Sequence, residues 1–394
     1  MDNNMSRMTR QNQAPMPNHK QPPMPNHKQP RKPKKRHKKW RWIVSIIVVL
    51  MIVGGIVASM VLSNIKKSVD TMHRSANITK ARDVNQVLKD GKPFSILILG
   101  TDTGALARDR TGLTDSMMLI TVNPQAKTTT MVSIPRDIMV SIIGREDTFP
   151  QKLNAAFPIA GVGATMSTLQ NYLNVPIDFY ALVNMGGLEK VIDQVGGVKV
   201  TSPLTFTYQP ENDKKAVYKF YKNQEKYEYA ADGKNFKTYT TMDGYAALSF
   251  SRMRYDDPEG DYGRQKRQRL VLKALLKKSA SAKTLLNAKF MKSISKNAET
   301  DLTYNNMTKI ALSYMAATKN QKSDHLQGVG DMYNGVSYQM VKASEKQRVT
   351  NLLRKSLNLG SKTTGTQFGS SVPALSYGVA EYNLNVIGET LDAQ

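Results

Sequence analysis

FSILILGTD (94–102), TDSMMLITVNP (114–124) and TTMVSIPRD (129–137) hold three short apolar runs, each ended by a turn former or a charge. Runs of this length bounded by Gly, Asn-Pro or Pro read as buried strands, at 94–100, 116–122 and 129–134. Their connections are short, which favours antiparallel neighbours. The first strand then ends at Asp102, the second begins just after Asp115, and the third ends at Arg136. Antiparallel pairing predicts that two carboxylates and a guanidinium meet at one edge of the sheet.

The segments that follow predict helices on that sheet. Residues 162–174 have helical length. FYALVNMGGLEKVIDQVGGVKV (179–200) reads as strand, turn, amphipathic helix, glycine stop and strand, with Gly196 and Gly197 suited to a helix C-terminus. TMDGYAAL (241–248) predicts a helix, SFSRMRY (249–255) a short strand, and RQKRQRLVLKALLKK (264–278) a long helix. Residues 203–240, rich in Tyr, Lys and Asn, read as a surface insertion or hairpin. The expected fold class is α/β, a layered α-β-α domain around a central mixed sheet, spanning 93–358. The composition after Gly360 predicts a loose tail over 359–394.

Upstream, the chain carries a different signature. Ile43 to Leu62 contains no charge, and a helix of that length spans about 30 Å, the hydrocarbon thickness of a bilayer. The chain's two tryptophans, Trp40 and Trp42, open this run as interface anchors. Residues 1–42 hold twelve Lys/Arg against one acid, Asp2, and repeat PMPNHKQP at 15–22 and 23–30. That tail reads as disordered, basic and cytoplasmic, followed by a transmembrane helix at 43–63 and an extracytoplasmic stem at 64–92. Its charge fits anionic lipid headgroups better than nucleic acid. The 394 residues carry a formal charge of +25, no cysteine and five histidines. Thiolate metal sites, disulfide scaffolds and a cysteine nucleophile are thereby excluded. Four of the histidines precede Phe94, which argues against a Ser-His-Asp engine.

The densest polar segment is SRMRYDDPEGDYGRQKRQR (251–269). Arg252 and Arg254 would share a face of an extended chain. Asp261, Arg264 and Gln268 would share a face of a helix starting near Asp261. With Arg136 they make a crowded set of guanidiniums, which repel one another unless anions lie between them. Arginine's planar fork suits phosphate, and Asp102 with Asp115 suits Mg2+. GTDTG (100–104) lacks a P-loop lysine, and no G-x-G-x-x-G follows the first strand, so an ATP enzyme is not indicated.

Taken in order, ILILGTD (96–102), TDSMMLITVNP (114–124), SIPRD (133–137), LNAAF (153–157), residues 178–200 and residues 251–269 resemble the LytR-CpsA-Psr family of Gram-positive bacteria. The resemblance implies a membrane-anchored phosphotransferase. Its expected substrate is an anionic glycopolymer, of teichoic acid or capsular type, on an undecaprenyl-pyrophosphate carrier, and its expected acceptor is peptidoglycan. It further implies that Asp102 and Asp115 bind Mg2+. Arg136, Arg252, Arg254, Arg264 and Gln268 would hold pyrophosphate, and Asp261 would help deprotonate the acceptor hydroxyl. Many members carry arginine two residues before the second aspartate; here that residue is Leu113, and Arg110 or Arg108 is the candidate replacement. An apolar slot for the lipid is expected between the helices at 162–174 and 187–195, with Leu169, Val191 and Ile192 as walls. A transcriptional regulator and a polyprenyl-pyrophosphate hydrolase are the alternatives.

Overall fold

The computed structural model describes residues 60–101, 112–211, 213–279, 287–295 and 297–389. The first described residues form a helix, α1, over 60–72, followed by a short helix α2 (Val84–Lys89). Strands β1 (Phe94–Thr101), β2 (Thr114–Asn123) and β3 (Thr128–Ile134) form the antiparallel meander that their short connections predict. The small ribbon β4 (Met139–Val140) with β5 (Gln151–Lys152) leads into helix α3 (Ala156–Leu173). Strand β6 (Phe179–Asn184) then returns parallel to β1, so the C-terminal ends of β1, β3 and β6 and the start of β2 lie at one edge. Helix α4 (Met185–Gln194) leaves β6 directly, with Asn184 as N-cap accepting from the Gly187 amide at 2.8 Å. Residues 198–200 make only an isolated bridge, Val198 with Met242, in place of the expected strand.

Both faces of the meander are apolar, and both are covered. Leu97, Leu99, Met117, Leu119 and Val132 face α3 and the later helix α9 (Ala343–Ser356) in the main core. Ile98, Met118, Ile120 and Met131 face α6 (Gly260–Ser279) through Leu272 and Leu276. The result is the expected α-β-α layering around a mixed sheet.

The 203–240 segment is a four-stranded antiparallel sheet, β7 (Phe206–Tyr208), β8 (Val217–Phe220), β9 (Tyr227–Ala230) and β10 (Lys237–Tyr239). Its stacked aromatics, such as Tyr218 on Tyr229 at 4.5 Å, pack on α5 (Gly244–Arg252) and α6. Helices α7 (Ala288–Ile294) and α8 (Tyr304–Ser313) follow, with β11 (Ala298–Thr300) between them and β12 (Asn320–His325) after them. These two strands complete the main sheet in the order β11-β6-β1-β2-β3-β12. A hairpin of β13 (Val329–Tyr333) and β14 (Val336–Met340) precedes α9, and α10 (Tyr377–Ile387) closes the described chain.

Two further expectations, for SFSRMRY and for the C-terminal tail, are corrected, and the 64–92 stem is placed. SFSR is helical: Asp243 caps α5 by accepting from the Ala246 amide at 2.8 Å, and Ala246, Ala247 and Phe250 turn inward, so Arg252 ends a helix and does not share an extended face with Arg254. The stem is docked onto the domain, since Ile65, Val69 and Met72 of α1 are buried against Phe290 and Met291. Arg82 anchors it further by pairing with the buried Asp178 at 2.5 Å, which also accepts from the Ser95 amide of β1. The C-terminal segment is folded, with Phe368, Ala380, Leu384 and Ile387 buried against Phe149 and Met340. Leu384→Ala is therefore expected to cost about 3 kcal/mol through the cavity it leaves, read as a lower urea midpoint with unchanged slope. The proposed span at 43–63 lies outside the described residues except for 60–63, which belong to α1. Among the described residues no helix is long and apolar enough to cross a membrane.

Candidate active site

At the edge where β1, β2, β3 and β6 meet, an apolar cavity of about 680 Å³ runs between the sheet and helices α4, α5 and α6. Its walls are aliphatic, with Ile98 and Met118 from the sheet, Val191 from α4 and Val271, Leu272 and Leu275 from α6. Asp115, Ser116, Arg252, Arg254, Arg264 and Gln268 line the same cavity. One compartment thus joins a hydrocarbon-like interior to a charged, hydrogen-bonding group of side chains that includes three arginines.

The polar groups form a connected network. Arg136 Nη1 donates to Asp115 Oδ1 at 2.6 Å, and Asn154 Nδ2 approaches the same oxygen at 3.4 Å. Arg264 Nη2 lies 2.6 Å from Asp261 Oδ1, and also donates to the Asp115 carbonyl at 3.3 Å. Arg254 Nε stands 4.0 Å from the same Asp261 oxygen. Ser116 Oγ donates to Gln268 Oε1 at 2.9 Å. Burial would by itself lower the Arg136 pKa, but the contact with Asp115 and the charges of Asp137 and Asp261 hold it above the usual arginine value. Arg264 goes the other way. Burial lowers its pKa, Asp261 opposes that, and the neighbouring positive charge of Arg136 adds to the lowering. Its Nε is buried without a hydrogen-bond partner among the described residues. Guanidiniums under mutual repulsion, with the Nε of both Arg136 and Arg264 buried and without a hydrogen bond among the described residues, make a site that an oxyanion would stabilise.

The local sequence explains the placement. Gly260, at φ 53, turns the chain into α6 one residue before Asp261. Three residues later Gly263 leaves room for the Asp257 carboxylate, where any Cβ would collide. Asp257 pairs with Arg267, which is 0% exposed and also donates to the carbonyls of Phe250 and Met253. Arg267 therefore clamps the loop carrying Arg254. Sequence reasoning missed this buried clamp, because within RQKRQR nothing separates an inward arginine from an outward one except the helical phase. Asn154 and Ser116 were missed too, although they lie inside the quoted motifs LNAAF and TDSMMLITVNP.

Of the residues named from sequence, Asp115, Arg136, Arg254, Asp261, Arg264 and Gln268 are brought together, with Arg252 on the same cavity. Asp102 and Arg110 lie outside the described residues. Leu113, before β2, is exposed. Val191 lines the cavity, but the expectation for Leu169 and Ile192 is corrected. Leu169 is 0% exposed in the core on the opposite face of the sheet, because α3 packs there. Ile192 is likewise 0% exposed, turned into the core that α4 shares with α5 and the small sheet. Among the described residues no three carboxylates or imidazoles gather around one point. Asp115 and Ser116 supply oxygen donors beside the arginines, and Glu211 and Asp256 line the same cavity. Such a set fits a magnesium ion that keeps waters and shares its ligation with substrate phosphates.

The sequence profile of the LytR_cpsA_psr family matches residues 58–355. The chain belongs to this family. The LytR_cpsA_psr chain described here is 38% identical over 325 residues to the polyisoprenyl-teichoic acid–peptidoglycan teichoic acid transferase TagU of Enterococcus faecalis, covering 82% of this chain and 99% of that protein. The crystal structure of protein gbs0355 from Streptococcus agalactiae superposes with a TM-score of 0.62 at 31% identity, over 76% of this chain and 98% of that one. A structure of TagT bound to LIIa-WTA matches with a TM-score of 0.54 at 26% identity, over 72% and 95%. The α/β fold with its mixed central sheet is thus shared with solved members of the LytR_cpsA_psr family.

Proposed function

We propose that the protein transfers an anionic glycopolymer from an undecaprenyl-pyrophosphate carrier to peptidoglycan. The observation that carries this reading is the single cavity in which aliphatic walls meet Arg252, Arg254 and Arg264: a diphosphate with a hydrocarbon tail is the ligand class that satisfies both parts. The teichoic acid transferase named among the relatives and the TagT complex support a glycopolymer substrate.

In this reading the arginines hold the diphosphate in its fork-like hydrogen bonds and offset charge that builds on the bridging oxygen. A hydroxyl of the glycan strand attacks the phosphorus nearest the polymer. A new P–O bond forms, the bond from that phosphorus to the bridging oxygen breaks, and polyprenyl phosphate leaves with the electron pair. Asp261, steadied by Arg264 and Gln265, takes the hydroxyl proton; Gln265 Nε2 donates to its Oδ2 at 3.1 Å. Arg136 orients Asp115 through their 2.6 Å contact. Asp115, with Asp102, would hold Mg2+, which supplies further charge neutralisation to the phosphates when bound. The aliphatic walls bury the first isoprene units and exclude water, which favours the sugar hydroxyl over hydrolysis.

The basic tail stays in the cytoplasm, the 43–63 segment spans the membrane, and the domain works outside, where the polyprenyl carrier and the wall meet. Protease added to intact protoplasts is expected to digest the domain; full protection would reverse this orientation. The transfer reading is tested by incubating the protein with a synthetic lipid-pyrophosphate-sugar, Mg2+ and glycan strands. A phosphodiester-linked product is expected, at least tenfold reduced in chelator. Release of free phosphorylated sugar at the same rate with and without acceptor would instead identify a hydrolase, and full activity in chelator would remove the metal from the reading.

A further inference from the structure

Helix α6 has a second polar face away from the lipid cavity. Arg269, Lys273 and Lys277 recur every four residues, a cationic line of about 12 Å at 1.5 Å per residue. Lys273 and Lys277 open onto a groove of about 900 Å³ against the turn Met315–Thr318, Lys319 that caps it, and the start of β12 with Lys322. None of the residues lining this groove is acidic. One turn back along the helix, outside the groove's lining, Arg269 Nη1 is buried without a hydrogen-bond partner among the described residues. Arg269 is 8% exposed. Two acids reach it with their charge, and both have other partners: Asp324 pairs with Arg348 at 2.6 Å and Glu259 with Lys266 at 3.3 Å. Four exposed lysines around a groove without an acid, in line with a buried guanidinium one turn back on the helix, suit an anion longer than one phosphate.

The line also has a direction. Arg269 stands at the end nearer Arg264 and Asp261, which precede it by about one and a half and two turns on the same helix. We infer that the groove beside α6 binds successive phosphodiesters of the anionic polymer being transferred, leading the chain away from the reacting phosphorus. This rests on the proposed transfer function and adds to it a substrate track that a single pyrophosphate site lacks.

The test uses the full chain in detergent and a fluorescent synthetic oligo(glycerol phosphate), with binding read by anisotropy as a function of salt. The assay contains no pyrophosphate and no acceptor, so its outcome is independent of the transfer assay. The wild-type chain is expected to bind the oligomer with a steep salt dependence. The K273Q/K277Q/K319Q/K322Q variant, with an unchanged melting curve, is expected to bind it roughly tenfold or more weakly and with a shallower salt slope. Equal binding by that variant would overturn the inference. Competition by monomeric glycerol phosphate as effective as by the oligomer would overturn it too, as would equal competition by soluble short-chain phosphatidylglycerol, which would mark a headgroup site.

Discussion

Arg254→Ala is expected to lower kcat/KM for polymer transfer by about 100- to 1,000-fold, the usual scale for losing one preorganised charge donor at a transition state, without shifting the unfolding midpoint. The reason lies in how little else Arg254 does. Its side chain is 44% exposed, and among the described residues its one ion contact is the 4.0 Å approach to Asp261. Removing it strands no buried partner, so the loss falls on the reaction. Arg136 is a poorer probe, because its alanine variant would also leave the partly buried Asp115 carboxylate without its 2.6 Å partner. Arg254→Lys adds a control: the charge returns as a point without the planar fork, and partial recovery is expected. Wild-type transfer by the alanine variant, measured with a lipid-pyrophosphate substrate, would remove Arg254 from the site.

Arg267→Met should have the largest effect on stability. Its guanidinium is fully enclosed, donates to the carbonyls of Phe250 and Met253, pairs with Asp257 and lies 5.3 Å from the Phe206 ring. Methionine fills much of the volume but leaves the Asp257 side chain, 7% exposed, as an unpaired buried carboxylate. Breaking such a pair costs about 3–5 kcal/mol. The loop from Met253 to Asp257 should loosen with it, so activity falls as well. The double variant D257N/R267M separates causes: if the unpaired charge dominates, the double change costs clearly less than the sum of the single ones. A loss below about 1 kcal/mol for Arg267→Met in urea unfolding would contradict the clamp.

How much of this was legible depends on burial. Strands β1 to β3 could be read because both their faces are apolar, and antiparallel order then puts Asp115 and Arg136 at one edge, as observed. The helical phase of Asp261, Arg264 and Gln268 was readable once α6 was taken to begin near Asp261. β12 (NQKSDH) and β11 (AET) were not readable, since as outer strands they carry polar, part-exposed residues with no alternating apolar signal. Arg252 was misplaced because SFSRMRY alternates like a strand, while the Asp243 cap and tertiary burial of Phe250 select a helix. Leu169 was assigned to the lipid slot because sequence shows that α3 is apolar but not which face of the sheet it covers. The C-terminal segment reads as Gly, Ser and Thr punctuated by isolated apolar residues; only the fold reveals that Phe368 and Leu384 meet Phe149.

The central claim is that one compartment holds a diphosphate among arginines and its hydrocarbon tail against the sheet. A crystal structure of the protein with a polyprenyl pyrophosphate and Mg2+ tests it most directly. The diphosphate is expected within hydrogen-bonding distance of Arg136, Arg252, Arg254 and Arg264, with the tail running between Met118, Val191 and Leu272. A diphosphate bound elsewhere, with that cavity empty of lipid, would contradict the account.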